Sequence, residues 1–367
     1  MTTRREFMVG AAGVLAATAL PLSAQTTAPA PDRKLGWAIV GIGKLSQGEI
    51  LPALYNCKKS RLAAIVTGHA AEKAPPILSK FGLDQSCVYN YDNYDKLADN
   101  PDVDCIYIVL PNGMHAEYTI RGLKAGKHVL CEKPMANSPA ECQQMIDASK
   151  ATGKKLMVAY RIRREPYNMK AIEMCKNQTY GKPRLIITDH SFNIPKGAWR
   201  TNLKLAGGGS LVDVGIYGLN ATRYLTGEEP VSVTAQLTEN STDPRFTEIE
   251  EGMTWTMKFP SGTMATCTTS YNAIGTNRQR IICEHGYIDM EPATGYHGIK
   301  MTGYKGHDKE PFTLPDIDQF VAQMDYFSDC VTTGAEPITT GEEGLKDMTI
   351  MAAIYQSARE GRTVTLA

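Results

Sequence analysis

The sequence predicts a two-part α/β protein, with a doubly wound parallel sheet first and an α+β domain with a large, mainly antiparallel open sheet after it. Up to residue 160, short continuous apolar runs alternate with helical segments, which is typical of parallel strands that helices cover on both faces. Beyond residue 160, strand-like runs alternate polar and apolar residues, which is typical of an antiparallel sheet with one solvated or partner-covered face. The 367 residues, 43% of them hydrophobic, are ample for two cores.

Strands and helices alternate regularly in the first half. The predicted strands there are "GWAIVG", "RLAAIVTG", "VDCIYIVLP", "KHVLCE" and "KKLMVAY", and the predicted helices cover residues 44–57, 70–82, 114–125 and 138–152. In the second half the predicted helices cover residues 166–178, 210–225, 316–333 and 342–360, and the predicted strands are "PRLIITDHSFNI", "VSVTAQL", "GMTWTMKF", "GTMATCTTSY", "QRIICEHG" and "GYIDME". We therefore expect a nucleotide-binding domain over residues 36–160 and a substrate-binding and oligomerisation domain over residues 161–367.

The N-terminus has the pattern of an export signal. Arg4 and Arg5 precede an apolar run that ends near the small residue Ala24, which predicts a cleaved twin-arginine signal over residues 1–24 and a flexible arm over residues 25–35. The apolar run is too short to span a bilayer as a stable helix, so we expect no membrane anchor in the mature protein. We expect the twin-arginine export machinery to deliver the folded protein to the periplasm. An ordinary basic start for unfolded export is the alternative.

Charge and cysteine content narrow the possible partners. The 39 basic and 39 acidic residues balance without a long block of one sign, which argues against nucleic acid or a charged membrane surface. The nine cysteines form no CxxC pair and are odd in number, so the sequence indicates neither a metal site nor a regular disulfide framework. Most should be small buried hydrophobes, which folding before export would shelter from an oxidising compartment.

A glycine-rich turn follows the first predicted strand. Gly41, Gly43 and Ser46 occupy the three small positions of a GxGxxG-type loop that includes Lys44 and Leu45 and opens a helix. Gly41 permits the tight turn, and Gly43 lets the backbone approach a pyrophosphate at the helix N-terminus. Directly after a buried strand, this pattern indicates a Rossmann dinucleotide-binding site, although a tight structural turn alone would look the same.

The end of the second strand favours NADP over NAD. An acidic residue there would bind the adenosine ribose and disfavour a 2′-phosphate. This chain has Thr67, Gly68 and His69 instead, with Lys73 just beyond, which together make a plausible anion site. For Lys73 the alternative is a solvated helix charge.

Two further segments carry groups suited to proton transfer. Lys133 precedes a proline at the end of a strand, where ligands bind in such folds. Asp213 and Tyr217 lie four residues apart at the start of a predicted helix and therefore share one face. A nearby ammonium would lower the pKa of the phenol, which could then take a proton from a sugar hydroxyl. A half-buried tyrosine with a satisfied hydroxyl is the alternative for Tyr217.

These motifs, "EKPMA" and "GGGSLVDVGIYG", resemble those of the glucose–fructose oxidoreductase, inositol dehydrogenase and rhizopine-catabolism (Gfo/Idh/MocA) family, from Gly36 to the last helix. Most members have histidine at the position of Tyr217, and tyrosine is typical of the branch of glucose–fructose and aldose–aldose oxidoreductases. The resemblance implies an exported enzyme with non-dissociating NADP, with Lys133, Asp213 and Tyr217 at the sugar and Tyr217 as the acid/base. It also implies that the cofactor and substrate cleft includes Leu110, Pro111, Asn112, His115, Glu132, Arg161, Trp199 and Arg200.

Export and a nicotinamide cofactor together constrain the reaction. Free NADP is scarce outside the cytoplasm, so a retained cofactor must be reoxidised in the same cleft by a second substrate. We expect one aldose to be oxidised at C1 to its lactone and another aldose or ketose to be reduced to a polyol, in ping-pong order. An ordinary sugar dehydrogenase that exchanges free cofactor, an exported NAD-dependent glycosidase of the same fold and a sugar sensor are the alternatives.

The short arm bears on assembly. In glucose–fructose oxidoreductase a long N-terminal arm reaches over a neighbouring subunit and helps to build a tetramer. Here about ten residues separate the predicted cleavage site from the first strand. We therefore expect a homodimer through the faces of the C-terminal sheets, with a tetramer as the alternative.

Overall fold

The computed structural model describes residues 33–238 and 242–366. The predicted export signal and all but the last three residues of the predicted arm lie outside the described residues, so these expectations stay predictions. At the start of the described chain, Arg33 forms an ion pair with Asp104, and the Lys34 ammonium donates to the backbone carbonyl of Cys57.

The first half forms a six-stranded parallel sheet in the order β3-β2-β1-β4-β5-β6. Its strands are β1 (Leu35–Val40), β2 (Ser60–Val66), β3 (Val88–Tyr89), β4 (Cys105–Ile108), β5 (His128–Cys131) and β6 (Leu156–Val158), and its helices are α1 (Leu51–Asn56), α2 (Ala70–Phe81), α3 (His115–Lys124) and α4 (Pro139–Thr152). The chain reverses its direction of winding between β1 and β4, and ligands bind at such a switch point in this kind of sheet. The parallel sheet is confirmed, and the two-residue strand β3 was not predicted.

The second half forms a nine-stranded sheet in the order β14-β13-β12-β11-β7-β10-β9-β8-β15. The helices and strands that follow β6 are α5 (Pro166–Lys176), β7 (Pro183–Ser191), α6 (Leu203–Ala206), α7 (Ile216–Thr226), β8 (Ser232–Thr238), β9 (Gly252–Lys258), β10 (Met264–Ser270), β11 (Thr276–Cys283), β12 (Tyr287–Met290), β13 (Met301–Lys305), β14 (Asp308–Pro311), α8 (Gln319–Thr333), α9 (Gly341–Glu360) and β15 (Val364–Thr365). Neighbouring strands are antiparallel except β7 and β10, which confirms the mainly antiparallel sheet. Sequence patterns missed β13, β14, β15 and α6.

Strand β7 shows how the sheet is covered on one face. Ile186, Thr188 and His190 point inward and are buried, whereas Leu185 and Ile187, which alternate with them, are each 44% exposed. Helix α7 packs on the inner face so closely that a Cβ at Gly218 would lie 2.3 Å from the Thr188 hydroxyl oxygen. The alternation therefore buries one face under α7 and leaves the other open.

Two predicted helices begin differently from the prediction. The segments 46–50 and 211–215 are π-helical turns that lead into α1 and α7. Helix α8, which follows β14 in the chain, packs against the first sheet, where Phe327 meets Trp37 edge to face at 5.8 Å. The domain boundaries expected from the sequence put α8 in the second domain, whereas its apolar side chains complete the core of the first.

All nine cysteines lie in the described chain as free thiols, and seven are buried, as expected for small hydrophobes. Burial raises the pKa of Cys142 to about 12, so its thiol is protonated and unreactive at neutral pH. Within residues 33–238 and 242–366, no group of histidine, cysteine, aspartate and glutamate side chains is arranged to hold a metal ion. The same part of the chain has no helix with the length and apolar character needed to cross a membrane.

Candidate active site

A cleft of about 1230 Å³ lies between the carboxyl ends of the parallel strands and the inner face of the second sheet. Most of the residues that the sequence singled out line this cleft: Gly41, Gly43, Lys44, Leu45, Thr67, His69, Lys73, Leu110, Pro111, Asn112, Glu132, Lys133, Arg161, Trp199, Arg200, Asp213 and Tyr217. Ser46, Gly68 and His115 do not line it.

The glycine-rich turn after β1 opens the cleft. Gly41 has φ +91°, and a Cβ there would lie 2.3 Å from the backbone oxygen of Val109, so only glycine fits. Ser46 is buried behind the turn, where its hydroxyl donates to the backbone oxygen of Gly41 at 2.5 Å. A Cβ at Gly43 would meet open space. The turn therefore needs Gly41 for its shape, while Gly43 leaves the backbone accessible from the cleft.

Polar groups gather where β2 ends. The Thr67 hydroxyl oxygen accepts from the backbone N–H of His69, and Lys73 follows in the first turn of α2. Tyr91, which the sequence analysis did not single out, lines the cleft here, and its ring lies 3.3 Å from where a Cβ of Gly68 would be. Close packing against Tyr91 is therefore what Gly68 provides.

The structure corrects the expectation for His115. Its side chain is fully buried, and its two ring nitrogens lie 2.9 Å from the backbone oxygen of Leu110 and 2.8 Å from that of Pro134. Burial lowers the pKa of His115. With its pKa lowered, the ring carries one N–H and donates to one of these two oxygens at a time. His115 therefore lies between the loop after β4 and the loop after β5 and does not line the cleft.

Lys133 and Asp213 meet across the cleft. The Lys133 ammonium donates to the backbone oxygen of Asp213 at 2.5 Å and lies 3.3 Å from its carboxylate. The other carboxylate oxygen accepts from the Tyr271 hydroxyl at 2.9 Å and lies 3.0 Å from Nε of Arg200. Burial alone would raise the pKa of Asp213, but the Lys133 and Arg200 cations offset it and hold that pKa below its usual value. Asp213 is therefore an anion held by three donors, of which Tyr271 was not predicted.

Tyr217 lies beneath two cations. The Lys133 ammonium is 4.7 Å from its ring centroid, and Nη2 of Arg161 is 3.4 Å from its hydroxyl oxygen. Burial would raise the pKa of Tyr217, but Arg161 and then Lys133 offset it, so that the pKa is lower than usual. The sequence motifs predicted that a nearby ammonium, that of Lys133, lowers this pKa, whereas Arg161 has the larger effect.

Arg161 is itself held in place by uncharged groups. Its guanidinium donates to the backbone oxygens of Thr294 at 2.7 Å and Gly295 at 3.1 Å, and to the side chain of Gln319. It also lies 4.4 Å from the ring centroid of Tyr296. None of these groups carries a formal negative charge, although Arg161 also attracts the Glu132 carboxyl without forming an ion pair with it. Ionisation of Tyr217 would therefore place a further negative charge beside Arg161.

His190, the last inward residue of β7, was also not predicted. Its ring stacks on Tyr217 with centroids 6.1 Å apart, and it is 3% exposed. Burial lowers the pKa of His190 to about 4, against the attraction of Asp189 and together with repulsion from Lys133. The inward position in a strand that ends at the cleft was the available signal. His190 is therefore a neutral platform for the Tyr217 ring.

This arrangement can move a proton. A phenol with a lowered pKa beside two cations can ionise; the phenolate can accept a proton from a substrate hydroxyl, and the phenol so formed can return it to a carbonyl oxygen. Lys133 and Arg161 stabilise the phenolate, and the ionised Asp213 can accept hydrogen bonds from further hydroxyls.

The two halves of the chain match models of one oxidoreductase family. The family model "Oxidoreductase family, NAD-binding Rossmann fold" matches residues 35–160, and "GFO/IDH/MocA C-terminal domain" matches residues 168–289. The crystal structure of an aldose-aldose oxidoreductase from Caulobacter crescentus, complexed with glycerol, is 45% identical, with a TM-score of 0.88 over 91% of this chain and 100% of that chain.

Two curated relatives are more distant. D-xylose 1-dehydrogenase [NADP(+)] of Haloarcula marismortui is 27% identical over 92% of this chain and 94% of its own length. D-glucoside 3-dehydrogenase of Escherichia coli is 29% identical over 94% of this chain and 99% of its own length.

Proposed function

The chain belongs to the GFO/IDH/MocA oxidoreductase family, and we propose that it retains NADP(H), oxidises an aldose at C1 to the lactone and reduces a second sugar to the polyol in a ping-pong cycle. The observation that carries this proposal is the convergence of Lys133, Asp213 and Tyr217 in the cleft that the Gly41 turn opens. The 45% identity to an aldose-aldose oxidoreductase along that whole chain supports sugars as both substrates.

The cleft suits NADP(H). Open space at Gly43 leaves room for a pyrophosphate against the backbone, and the Thr67 hydroxyl, His69 and Lys73 offer donors and positive charge to a 2′-phosphate. Leu110, Pro111, Asn112, Glu132, Arg161, Trp199 and Arg200 line the rest of the cleft toward the acid/base. When bound, NADP(H) supplies reversible hydride transfer.

The protein's own residues move the proton and hold the sugar. In the oxidative half, the first aldose loses a hydride from C1 and a proton from its hydroxyl, and the Tyr217 phenolate takes the proton. In the reductive half, the second sugar gains a hydride at its carbonyl carbon, and Tyr217 returns the proton to its oxygen. Lys133 polarises the reacting oxygen, and Asp213 orients neighbouring hydroxyls. The two halves balance without an external oxidant.

The proposed periplasmic location requires that the protein keeps its NADP(H). We propose that the twin-arginine signal, with Arg4 and Arg5, takes the folded protein to the periplasm, where free NADP is scarce. If it is nanomolar or less, equilibrium retention needs roughly −12 kcal/mol. Slow dissociation would serve equally, because affinity is mostly set by the off-rate.

We also propose a homodimer through the open face of the nine-stranded sheet. Leu185, Ile187 and Met264 are 44–49% exposed there, and Met264 pairs directly with Leu185. Apolar side chains clustered on an open sheet face are typical of an interface. Light scattering should give twice the chain mass for the parent and a lower mass for Ile187→Asp. A parent that is monomeric at micromolar concentration would contradict the dimer.

The proposal is tested without added nucleotide. Protein purified in nucleotide-free buffer and then denatured should release NADP(H) close to one per chain. The same native protein, incubated with a panel of aldoses and fructose, should form aldonate and polyol in equal amounts. Tyr217→Phe is the matched control, since it removes the hydroxyl alone and should abolish both products.

Two other outcomes would overturn it. Protein that is purified empty, and turns over only when NADP or NAD is added, would be an ordinary dehydrogenase, which the similarity to D-xylose 1-dehydrogenase [NADP(+)] favours. Sugar released from an aryl glycoside would instead indicate a glycosidase.

A further inference from the structure

A buried carboxylate outside the cleft connects the two segments that hold the proton-transfer pair. Asp347 lies on α9 and has no exposed surface. Its Oδ2 accepts from the Tyr160 hydroxyl at 2.5 Å and from the Asn220 amide at 2.9 Å. Its Oδ1 accepts from Nη1 of Arg223 at 2.6 Å. Both carboxylate oxygens are therefore engaged by groups from two other parts of the fold.

The residues that bind Asp347 lie close in the chain to Arg161 and to Tyr217. Tyr160 immediately precedes Arg161, whose guanidinium reaches the Tyr217 hydroxyl. Asn220 lies three residues after Tyr217 on α7, and Arg223 lies one turn further on. Asp347 thus holds, through direct hydrogen bonds, the residue beside Arg161 and the helix that carries Tyr217.

Burying the charged groups of this network costs desolvation free energy, which suggests that the network serves to fix a geometry. Arg223 is 3% exposed and, besides Asp347, binds Glu229 and Glu343. Buried ion pairs are poor sources of stability, since well-packed apolar residues often serve as well, but they fix geometry in some proteins. The relationship that this network can fix is the one between the segment after β6 and α7.

We propose that Asp347 is a positioning residue for proton transfer, which sets the separation between the Arg161 guanidinium and the Tyr217 hydroxyl by holding Tyr160 and α7 together. The proposal rests on the proposed function only in taking Tyr217 as the acid/base. Its consequence is a change in the ionisation of Tyr217 whenever the link is loosened.

The direction of that change separates positioning from simple electrostatics. The charged and titratable groups that face Tyr217 are Lys133, Glu132, Arg161, His190 and Tyr296, and Asp213 pairs with Lys133 beside it. Those that face Asp347 are Arg223, Tyr160 and Cys142. Retreat of Arg161 from Tyr217 raises the pKa of the phenol, because Arg161 is the main cation that lowers it. Loss of the Asp347 charge alone would act in the opposite direction.

The experiment measures tyrosinate absorbance during an alkaline titration of the full chain. From each protein's signal, the signal of the same protein with Tyr217→Phe added is subtracted, which leaves the titration of Tyr217. Tyr160→Phe is the main variant, because it removes one bond to Asp347 and leaves all charges in place. Asp347→Asn is the second variant. Glu229→Gln is the matched control, since it takes a carboxylate from Arg223 without touching Tyr160 or Asn220.

We expect Tyr160→Phe and Asp347→Asn to raise the pKa of Tyr217 by about one unit, which is about tenfold in acidity. Glu229→Gln should leave it unchanged. In turnover, kcat should fall several-fold in both variants, while KM for the sugar changes little. An unchanged or lowered pKa of Tyr217 in Tyr160→Phe would overturn the proposal, whether or not Asp347→Asn folds. Since the titration needs no sugar, it separates this proposal from the proposed reaction.

Discussion

Nη2 of Arg161 lies 3.4 Å from the hydroxyl oxygen of Tyr217, and this buried guanidinium makes no ion pair with a carboxylate in the described chain. The cation therefore favours the phenolate form of Tyr217 and is the main charge that lowers the pKa of its hydroxyl. In the proposed reaction the phenolate is the form that accepts a proton, so Arg161 controls the pH range in which the enzyme oxidises sugar.

Replacing Arg161 by Gln should move the pH profile of sugar oxidation to higher pH. The active base is the phenolate, so kcat/KM rises as pH passes the pKa of Tyr217, and removing the main cation raises that pKa. We expect a displacement of about one pH unit, with Arg161→Lys displaced less because it keeps the charge. The measurement is kcat/KM against pH. Superimposable profiles for all three proteins would mean that Arg161 does not tune Tyr217.

The two glycines of the first turn should fail in different ways when changed to alanine. Gly41→Ala places a Cβ 2.3 Å from the Val109 backbone oxygen at φ +91°, so we expect a loss of folding stability of several kcal/mol, as is usual for a severe backbone clash. Gly43→Ala meets no protein atom within 4 Å, so it should fold normally and bind nucleotide more weakly. Denaturant unfolding and released nucleotide measure the two effects. Equal nucleotide content in Gly43→Ala and the parent would indicate that the pyrophosphate does not lie against Gly43.

Lys73→Glu should change the choice of cofactor. If Lys73 contacts a 2′-phosphate, the loss of a charged hydrogen bond weakens NADP binding by about tenfold or more, while NAD binding changes little. Titration of nucleotide-stripped protein with NADP and with NAD measures this ratio. Lys80→Glu, on the same helix and exposed, is the matched control. A ratio that stays constant would identify Lys73 as a solvated helix charge.

Patterns within short stretches of the sequence predicted the fold class and the two segments that meet at the centre of the site. Continuous apolar runs predicted the parallel strands. The four-residue spacing of Asp213 and Tyr217 predicted that both lie on one face, toward Lys133, and they do so although the turn between them is π-helical. Such patterns depend on near neighbours in the chain, where sterics and hydrogen bonding set the periodicity.

Contacts between distant segments were not predictable in the same way. Tyr271 reaches Asp213 from just beyond β10, and nothing in the sequence near Tyr271 marks that meeting. His190 reaches Tyr217 from β7, and its inward position in that strand indicated the cleft but not Tyr217 as the partner. The expectation for His115 was wrong for a related reason, since only the fold shows that its ring is buried between two backbone carbonyls, away from the cleft.

Tyr271→Phe should weaken sugar binding. The hydroxyl is one of three donors that hold the Asp213 carboxylate, so its loss leaves Asp213 ionised by Lys133 and Arg200 but less fixed in orientation. We expect kcat/KM to fall about tenfold, mostly through KM, because a less fixed Asp213 weakens its charged hydrogen bond to the sugar, a kind of bond worth about 1.5 kcal/mol or more. Steady-state kinetics measure it, with Tyr304→Phe on β13 as the control. A change confined to kcat would place Asp213 in the chemical step instead.

His190 should make the fold sensitive to mild acid. Its pKa is about 4 in the folded protein against 6.5 in the unfolded chain, so below pH 6.5 the unfolded state binds the extra proton and stability falls as pH falls. Between pH 7 and pH 5 this single group costs roughly 2 kcal/mol of unfolding free energy. His190→Phe keeps a ring against Tyr217 and removes the titration, so the parent should lose about that much more than the variant in denaturant unfolding at the two pH values. The effects of His115 and His128, whose pKa values burial also lowers, cancel because both proteins retain them. Equal losses would show that His190 is protonated in the folded state at pH 5, and then its ring could not be the neutral platform on which Tyr217 rests.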